Sequence, residues 1–337
     1  MSIIQWQPYL SIVATSRNDQ HGNNTLQRTA FFVNGLIAQC TKFQLPAELI
    51  LVEWNPPSDA PPLHSVLPIP PDNCPLSIRY ITVPAHMHQQ YANANQIPLY
   101  QMIAKNVGIR RAKGEFVLCT NVDLLFSDEL FHFLATRNLN PNTFYRADRC
   151  DVPDDLLHRH LSLTEQLQWC KQHTIKRWSR NRLLLSVLNA LIKIDNSFIS
   201  KGVIRRKLPL LYFLHLATDA CGDFTLMHRN AWQAIQGYPE LDMYSIHIDT
   251  LGIASACALG YEQMLLPSNA CTYHIYHEEG WTSLSPIEKI KFLEKRPGLG
   301  IDVVISAALS AIKKNTPFHL NTPTWGLANE TLEEKAF

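Results

Sequence analysis

The sequence has almost no net charge, no closely spaced pair of cysteines and no long apolar run, and each absence argues against a class of protein. Thirty Lys and Arg against 29 Asp and Glu leave a formal charge of +1, so no overall field attracts nucleic acid or an anionic membrane. The eight cysteines form no CxxC pair, which argues against a zinc knuckle, and their scatter through 337 residues argues against a disulfide framework. No internal repeat or low-complexity tract is present, which argues against a solenoid.

Two further absences bear on where the protein acts. The most apolar window, residues 183–192, is interrupted by Ser186 and Asn189. It is far shorter than the roughly 18–20 residues of a membrane-spanning helix. Residues 1–7 carry neither the basic nor the apolar stretch of a secretory signal. We therefore expect a cytoplasmic protein whose cysteines, such as Cys119 in an apolar run, are reduced and buried.

The first part of the chain alternates β-rich runs with helical stretches. The predicted strands cover residues 9–16, 48–54, 78–83 and 114–120, and the predicted helices cover 24–40 and 98–111. Strands joined by crossover helices require a parallel sheet with helices on both faces. The sequence therefore predicts an α/β fold built on a mainly parallel central sheet.

Polar residues follow the predicted strands at the edge of that sheet where α/β proteins bind ligands. They are Arg17, Glu53, Asn121 and Asp123. Asp123, with Asn121 two residues earlier, offers the oxygen ligands that suit Mg²⁺ or Mn²⁺, ions that also hold phosphate oxygens. The alternative is an Asx turn that merely ends the strand, and the spacing alone leaves both interpretations open.

The residues around Asp123 resemble a sequence block of the GT-A glycosyltransferases, notably family 2. AKNVGIRRAKGEF at 104–116 with TNVD at 120–123 is similar to that family's ARNxGIxxAxGEYIxFLDxD block, SIVATSRN at 11–18 to its opening strand, and ILVE at 50–53 to its second strand. The resemblance spans residues 9–126 and, more loosely, 220–281. It implies a GT-A type, Rossmann-like fold and a nucleotide-diphosphate-sugar donor.

The resemblance also implies roles for residues of the first half. The expected nucleotide-binding residues are Ser16, Arg17, Glu53, Lys105, Asn106 and Asn121. Glu53 and Lys105 would lie near the base, and Asn121 and Asp123 at the metal-bound diphosphate. The family's DxD is Asn-x-Asp here, so Asp123 carries the only charge of the motif, which weakens the expected affinity for Mn²⁺ or Mg²⁺.

The second half is similar in order to the acceptor half of that family. GDFTL at 222–226 is followed by HID at 247–249 and YHIYHEEGW at 273–281. The resemblance implies that Asp249, opening a helix, is the catalytic base of an inverting transfer and that Asp223 contacts the sugar. The alternatives are that Asp249 caps its helix and that Asp223 is a turn residue.

The late histidines are the remaining candidates. His274 and His277 stand three residues apart among residues that favour a strand, so we expect them to point to opposite faces. A lone inward histidine is usually a core residue, but the resemblance implies that a late histidine ligates the metal, and we assign that role to His274. The expected acceptor and sugar residues are His247, His277 and Trp281, of which Trp281 could also be a core residue.

Residues 151–216 fit the resemblance least, because they are basic and include the apolar window. We expect a mostly helical insertion here. Three interpretations stay open: a membrane-surface contact through about 176–207, a helix packed on the core with a solvated basic side, and a lid over the diphosphate.

The whole chain is therefore expected to have four parts: a nucleotide-sugar half at 1–127, the basic insertion at 151–216, an acceptor and catalytic half at 218–285, and C-terminal helices with a tail at 286–337. The expected function is glycosyl transfer to a glycan or lipid-linked acceptor in polysaccharide biosynthesis. It would take place in the cytoplasm or at the inner face of the membrane.

The alternatives are a sugar-phosphate nucleotidylyltransferase and a non-catalytic carbohydrate-binding protein. Residues 16–22 hold one glycine instead of a glycine-rich loop, which disfavours the first, whereas Asn121 favours the second.

Overall fold

The computed structural model describes residues 7–19, 24–196, 202–277, 284–294, 296–318 and 321–337. Its strands are β1 (Leu10–Ser16), β2 (Ala47–Trp54), β3 (Leu76–Val83), β4 (Phe116–Thr120), β5 (Leu124–Phe126), β6 (Thr143–Arg146), β7 (Asp148–Val152), β8 (Lys176–Trp178), β9 (Phe224–His228), β10 (Glu262–Leu265), β11 (Cys271–Ile275) and β12 (Glu333–Ala336). Its α-helices are α1 (Thr25–Phe43), α2 (Leu63–Val66), α3 (Ala85–His88), α4 (Gln101–Arg111), α5 (Asp128–Ala135), α6 (Leu163–Gln172), α7 (Arg182–Asn196), α8 (Val203–Lys207), α9 (Pro209–His215), α10 (Arg229–Ile235), α11 (Ile248–Ala258), α12 (Pro286–Glu294) and α13 (Ile301–Lys314).

The larger of two sheets has the strand order β10-β6-β9-β4-β1-β2-β3-β12, and the smaller has the order β5-β11-β7-β8. In the larger sheet β4, β1, β2 and β3 pair in parallel, as do β6 and β10. Strands β9 and β12 run antiparallel to their neighbours. The central sheet is therefore mainly parallel.

Helices cover both faces of this sheet. Val13 of β1 packs in one apolar cluster with Ile103 and Val107 of α4. Its neighbour Ile12 packs in a second cluster with Phe32 of α1. Because successive side chains of a strand point to opposite faces, the two clusters are the two sides of the sheet. This arrangement, with the helices α6 to α9 of the insertion, confirms the predicted fold class.

Close packing fixes α4 against the sheet. A Cβ built at Gly108 would lie 2.5 Å from Cγ1 of Val13, so a larger residue would force the helix and strand apart. Strands β1 and β2 are buried along their whole length, which explains their near-continuous apolar sequences. The packing sets the position of Lys105, which α4 carries beside the residues that follow β4.

The C-terminal segment differs from the expected polar tail, because β12 joins the sheet as an edge strand antiparallel to β3. All four of its residues are exposed, so no hydrophobic pattern marks the strand in the sequence. Glu334 pairs with Arg79 of β3 at 2.7 Å, and Arg79 also pairs with the buried Glu48 at 2.8 Å. Backbone pairing and these ion pairs hold the strand in place. The proline-rich segment 56–75 contains the short helix α2.

The basic insertion is tied to the smaller sheet. The expected boundary at residue 151 falls inside β7, which pairs in parallel with β11 and antiparallel with β8. Helix α6 contributes Leu167 and Cys170 to the apolar cluster beneath this sheet. Helices α7, α8 and α9 contact one another and do not join that cluster among the described residues. Within the described ranges, no helix combines the length and apolar character that crossing a bilayer requires.

Candidate functional site

The site forms where β4 ends and two sheets meet. The chain leaves β4 at Thr120, passes through Asp123 and enters β5, which pairs antiparallel with β11 so that His274 lies opposite Leu124. The backbone N–H of Ile275 donates to the carbonyl oxygen of Asp123 at 2.9 Å. Strand pairing thus brings together two segments that are about 150 residues apart in the sequence.

Asp123, His274 and His277 form a compact cluster of metal-ligand atoms. Nε2 of His274 lies 3.4 Å, and Nε2 of His277 3.3 Å, from Oδ2 of Asp123. The three candidate ligand atoms all lie within 4.8 Å of one another. Oδ1 of Asp123 and Nδ1 of His277 are buried and have no hydrogen-bond partner among the described residues.

These atoms fit a divalent cation. A buried carboxylate oxygen without a donor is costly, and a bound cation would satisfy it. One carboxylate with two imidazoles is a softer donor set than Mg²⁺ prefers, so the cluster favours a transition-metal ion such as Mn²⁺. The predicted ligands Asp123 and His274 therefore lie together. His277, expected on the sugar side, lies with them because β11 ends at Ile275 and no longer constrains its direction.

The electrostatics of the cluster follow from burial and close pairing. Burial alone raises the pKa of Asp123, but His274 and His277 outweigh it and hold that pKa well below its usual range. Burial lowers the pKa of His274, but the carboxylates of Asp123 and Asp151 together outweigh burial and raise it to about 9. Without a cation, His274 therefore carries a proton at neutral pH, and a metal at Nε2 would have to displace it.

Asp151 of β7 orients His274 from the other side. Its Oδ1 lies 3.0 Å from Nδ1 of His274 and accepts from Nε of Arg149 at 2.7 Å. Its Oδ2 accepts from Nε1 of Trp178 at 2.7 Å. Burial raises the pKa of Asp151, but the bonds from His274 and Arg149 lower it to about 2. An ionised carboxylate on Nδ1 directs Nε2 of His274 towards the cation position, which is a common arrangement around metal-binding histidines.

Neither Asp151 nor Arg149 was expected at the site. The sequence shows only the charged run DRCDV at 148–152, and the structure adds that this strand, β7, is buried throughout. Charged residues are rarely buried unless they are paired. A strand that buries three charged residues therefore indicates a polar network around it.

The network continues to the second carboxylate of the site. Nη1 of Arg149 pairs with Oδ2 of Asp223 at 2.9 Å, and Nδ2 of Asn121 donates to Oδ1 of Asp223 at 2.6 Å. Oδ1 of Asn121 accepts from Nζ of Lys105 at 2.8 Å and from Nε2 of Gln101 at 2.9 Å. Asn121 therefore bridges an ammonium group and a carboxylate.

This bridge explains the departure from the DxD pattern. An aspartate at position 121 could accept from Lys105 but could not donate to Asp223, and it would place two carboxylates in contact. The amide of Asn121 satisfies both neighbours. Asn121 is thus held by protein groups, and the candidate metal-ligand atoms beside it belong to Asp123 and the two histidines.

Lys105 is wholly buried, and three carboxylates of the site lie around it. Its Nζ also donates to the carbonyl oxygen of Gly222 at 2.9 Å. Burial lowers the pKa of Lys105. The negative charges of Asp223, Asp249 and Asp123 act to raise it, because they stabilise the charged ammonium group. Three acidic side chains expected at the site therefore act on one ammonium group.

Asp249 lies in the first turn of α11, beside Gly222. Its Oδ1 accepts from the N–H of Thr250 at 2.8 Å, and a Cβ built at Gly222 would lie 3.0 Å from its Oδ2. His247, the residue just before α11, has a left-handed backbone with φ of 67°. Burial lowers the pKa of His247, whereas Asp249 acts to raise it. The structure thus brings Asp249 next to the segment that carries Asp223.

The other predicted nucleotide-binding residues lie at the neighbouring strand ends and have local partners. Oγ of Ser16 lies 3.3 Å from Oγ1 of Thr29, and Nε of Arg17 donates to the carbonyl of Asn55 at 2.6 Å. Both carboxylate oxygens of Glu53 accept from the N–H of Leu63 at 3.1 Å, while burial raises the pKa of Glu53.

One further predicted residue, Asn106, has its partners outside the cluster. The amide of Asn106 donates to the carbonyl of Tyr238 and accepts from its N–H, both at 2.8 Å, so it holds the turn after α10. Trp281 lies outside the described residues.

No protein-family model matches the chain, and no curated protein matches its sequence. Among solved structures, the chain is similar to the mannosyltransferase PcManGT from Pyrobaculum calidifontis in complex with GDP-Man and Mn²⁺. The two share 11% sequence identity at a TM-score of 0.42, over 96% of this chain and 73% of the other. A similarity this distant carries no argument about the ligands or the activity of this chain.

Proposed function

We propose that the chain is a glycosyltransferase that moves a sugar from a nucleotide-diphosphate sugar to an acceptor hydroxyl, with a divalent cation and with inversion. The observation that carries the proposal is the cluster of Asp123, His274 and His277 at the carboxyl edge of a parallel sheet. In α/β folds that edge is where ligands bind. The acids Asp223 and Asp249 stand beside it, around Lys105.

A bound cation would neutralise charge on the diphosphate and assist its departure. Asp123, His274 and His277 would hold it, and Asp151 would keep His274 in the ligating orientation. Ser16, Arg17 and Glu53, at the ends of the adjacent strands β1 and β2, line the side on which the nucleoside lies in this proposal.

Asp249 serves as the base. The acceptor oxygen attacks the anomeric carbon from the face opposite the diphosphate while its proton passes to the Asp249 carboxylate. The new carbon–oxygen bond forms as the bond to the diphosphate breaks, and the nucleoside diphosphate leaves. The first turn of α11 supports this role, because helix N–H groups favour the ionised carboxylate that a base requires.

Asp223 contacts the donor sugar. Its two oxygens accept from Asn121 and Arg149, but an ionised carboxylate offers about four lone-pair sites, so it can still accept from sugar hydroxyls. Held from two sides, it presents those sites in a fixed direction. His247 and Trp281 remain the candidates for acceptor contacts, since His277 is assigned to the cation. For the acceptor, we propose a glycan or a lipid-linked molecule of a cytoplasmic polysaccharide pathway.

The test is a panel of nucleotide-diphosphate sugars incubated with the full chain, with added Mn²⁺ or with EDTA. We expect Mn²⁺-dependent release of nucleoside diphosphate from at least one donor, abolished in His277→Ala and retained in His160→Ala, an exposed control. Release of pyrophosphate from a nucleoside triphosphate and a sugar phosphate would instead identify a nucleotidylyltransferase. Donor binding without turnover would identify the non-catalytic alternative.

A further inference from the structure

Helix α7 is apolar on two sides. Leu185, Leu188 and Ile192 are buried against the protein. The opposite side exposes Leu183, Leu184, Val187, Leu191 and Ile194. Leu183 is 77% exposed and Ile194 is 60% exposed. Helices that are apolar all round are normally buried on all sides, so the outer stripe of α7 lacks a covering element among the described residues.

The neighbouring helices extend this exposure. Helices α8 and α9 contact α7. Four further apolar side chains are exposed on α8, on α9 and at Leu208 between them: Val203, Leu208, Leu210 and Leu214. The carboxylate of Asp195, at the end of α7, accepts from the N–H groups of Ile204 and Arg205, each at 2.8 Å. It therefore ties α7 to α8. We call the outer side of the three helices the α7–α9 surface.

The segment 176–216, which contains the α7–α9 surface, is strongly basic. Residues 176–216 contain nine Lys and Arg and a single acid, Asp195, which is buried. The rest of the chain compensates, because the whole protein carries only +1. Arg177 and Arg182 pair with Asp148, and Arg180 lies 4.0 Å from Asp219, so part of this charge is neutralised within the protein. Lys193 of α7 and Lys207 of α8 are exposed on the same helices as the apolar side chains.

We propose that the α7–α9 surface docks on an anionic lipid bilayer. Exposed leucines on a basic helical segment are the features of helices that lie in the membrane interface, where apolar side chains enter the acyl boundary and cations meet lipid phosphates. A second copy of the chain would bring two surfaces of the same charge together, which is repulsive. Charge complementarity thus favours an anionic lipid surface as the occupant.

Docking would act close to the candidate site. Trp178, the last residue of β8 and four residues before α7, donates to Asp151, which orients His274. At the other end, α9 leads within eight residues into the segment that carries Asp223. The proposal does not depend on the transferase activity, because binding to vesicles is measured without donor or cation.

The experiment is co-sedimentation of the full chain with vesicles of phosphatidylcholine alone or with about 30% phosphatidylglycerol, at low and high salt. We expect binding to the anionic vesicles at low salt and release at high salt, because salt screens the attraction. The double variant Leu183→Ser/Val187→Ser should lower the partition coefficient by about tenfold or more, since it removes two apolar side chains from the contact. The control Ile69→Ser/Ile287→Ser, exposed residues elsewhere, should not change it.

The charge contribution is tested separately. Lys193→Gln and Lys207→Gln should each lower the partition coefficient by about fivefold, whereas Lys335→Gln at the far edge strand should not. Circular dichroism checks that each variant is folded. Equal binding by the Leu183→Ser/Val187→Ser variant, or no binding to anionic vesicles at low salt, overturns the proposal. A dimer in sedimentation equilibrium that this variant converts to monomer also overturns it, since a second copy would then cover the surface.

Discussion

The side-chain amide of Asn121 donates to Oδ1 of Asp223 at 2.6 Å while its oxygen accepts from Lys105. This relationship makes position 121 a bridge between a buried ammonium and a buried carboxylate. The candidate metal-ligand atoms are therefore those of Asp123, His274 and His277.

Replacing the amide should therefore damage the protein. Asn121→Asp removes the donor to Asp223 and adds a like charge in contact with it. We expect the free energy of unfolding to fall by about 1–3 kcal/mol and Mn²⁺ affinity not to increase. Urea denaturation and Mn²⁺ titration check this, with the exposed Asn142→Asp as control. Tighter Mn²⁺ binding at unchanged stability would show that position 121 is a ligand position after all.

Asp123→Ala should abolish Mn²⁺ binding and donor turnover while the protein stays folded. The substitution removes the only carboxylate of the ligand cluster and leaves two histidines that bind the ion weakly. Calorimetry measures the binding and donor hydrolysis measures the activity, with the exposed Asp154→Ala as control. Full activity in the variant, or activity that EDTA does not reduce, contradicts the role of Asp123.

Asp151→Asn should weaken Mn²⁺ binding without removing a ligand. The substitution keeps the shape of the side chain but removes the charge that orients His274 and raises its basicity. Loss of such a partner typically costs 10–100-fold in metal affinity. Titration of Mn²⁺ against the variant and the unaltered chain checks the effect, and the exposed Asp155→Asn is the control. An unchanged dissociation constant would assign Asp151 a purely structural role.

Stability without metal should fall as the pH rises. The pKa of His274 is raised from 6.5 to about 9 in the folded protein, because the carboxylates of Asp123 and Asp151 together overcome the effect of burial. A group whose folded pKa is raised contributes its stabilisation below its unfolded value, and loses it as the pH passes through the folded value. We expect a loss of about 1–3 kcal/mol between pH 6.5 and 9 in EDTA. Urea denaturation at several pH values measures it, and His274→Gln should flatten the profile.

Asp249→Asn should slow the chemical step. It preserves the side-chain shape and removes its basicity, so kcat should fall by about 10²–10⁴ with little change in donor binding. Asp302→Asn, a first-turn acid of another helix, is the matched control. NMR of the first-formed product reports the anomeric configuration. Retention, or near-normal turnover in Asp249→Asn, argues against inversion with this base.

The sequence by itself determined the local elements and the position of the sheet edge. Apolar runs of five to eight residues predict β1, β2, β3 and β4, because strands buried on both faces need continuous apolar sequence. The crossover helices then require parallel pairing. Since such sheets bind ligands at one edge, Asp123 could be singled out from its place after β4.

Only the tertiary structure decided which residues meet Asp123. The pairing of β5 with β11 joins residues far apart in the chain, and no local pattern encodes that choice of partner. Periodicity predicted opposite directions for His274 and His277, but the strand ends at Ile275 and both reach Asp123. The exposed strand β12 was not predicted for a related reason, and the sequence could not choose among the three interpretations of the basic insertion. Periodicity reports which residues share a face, whereas the packing of distant elements decides whether that face is covered.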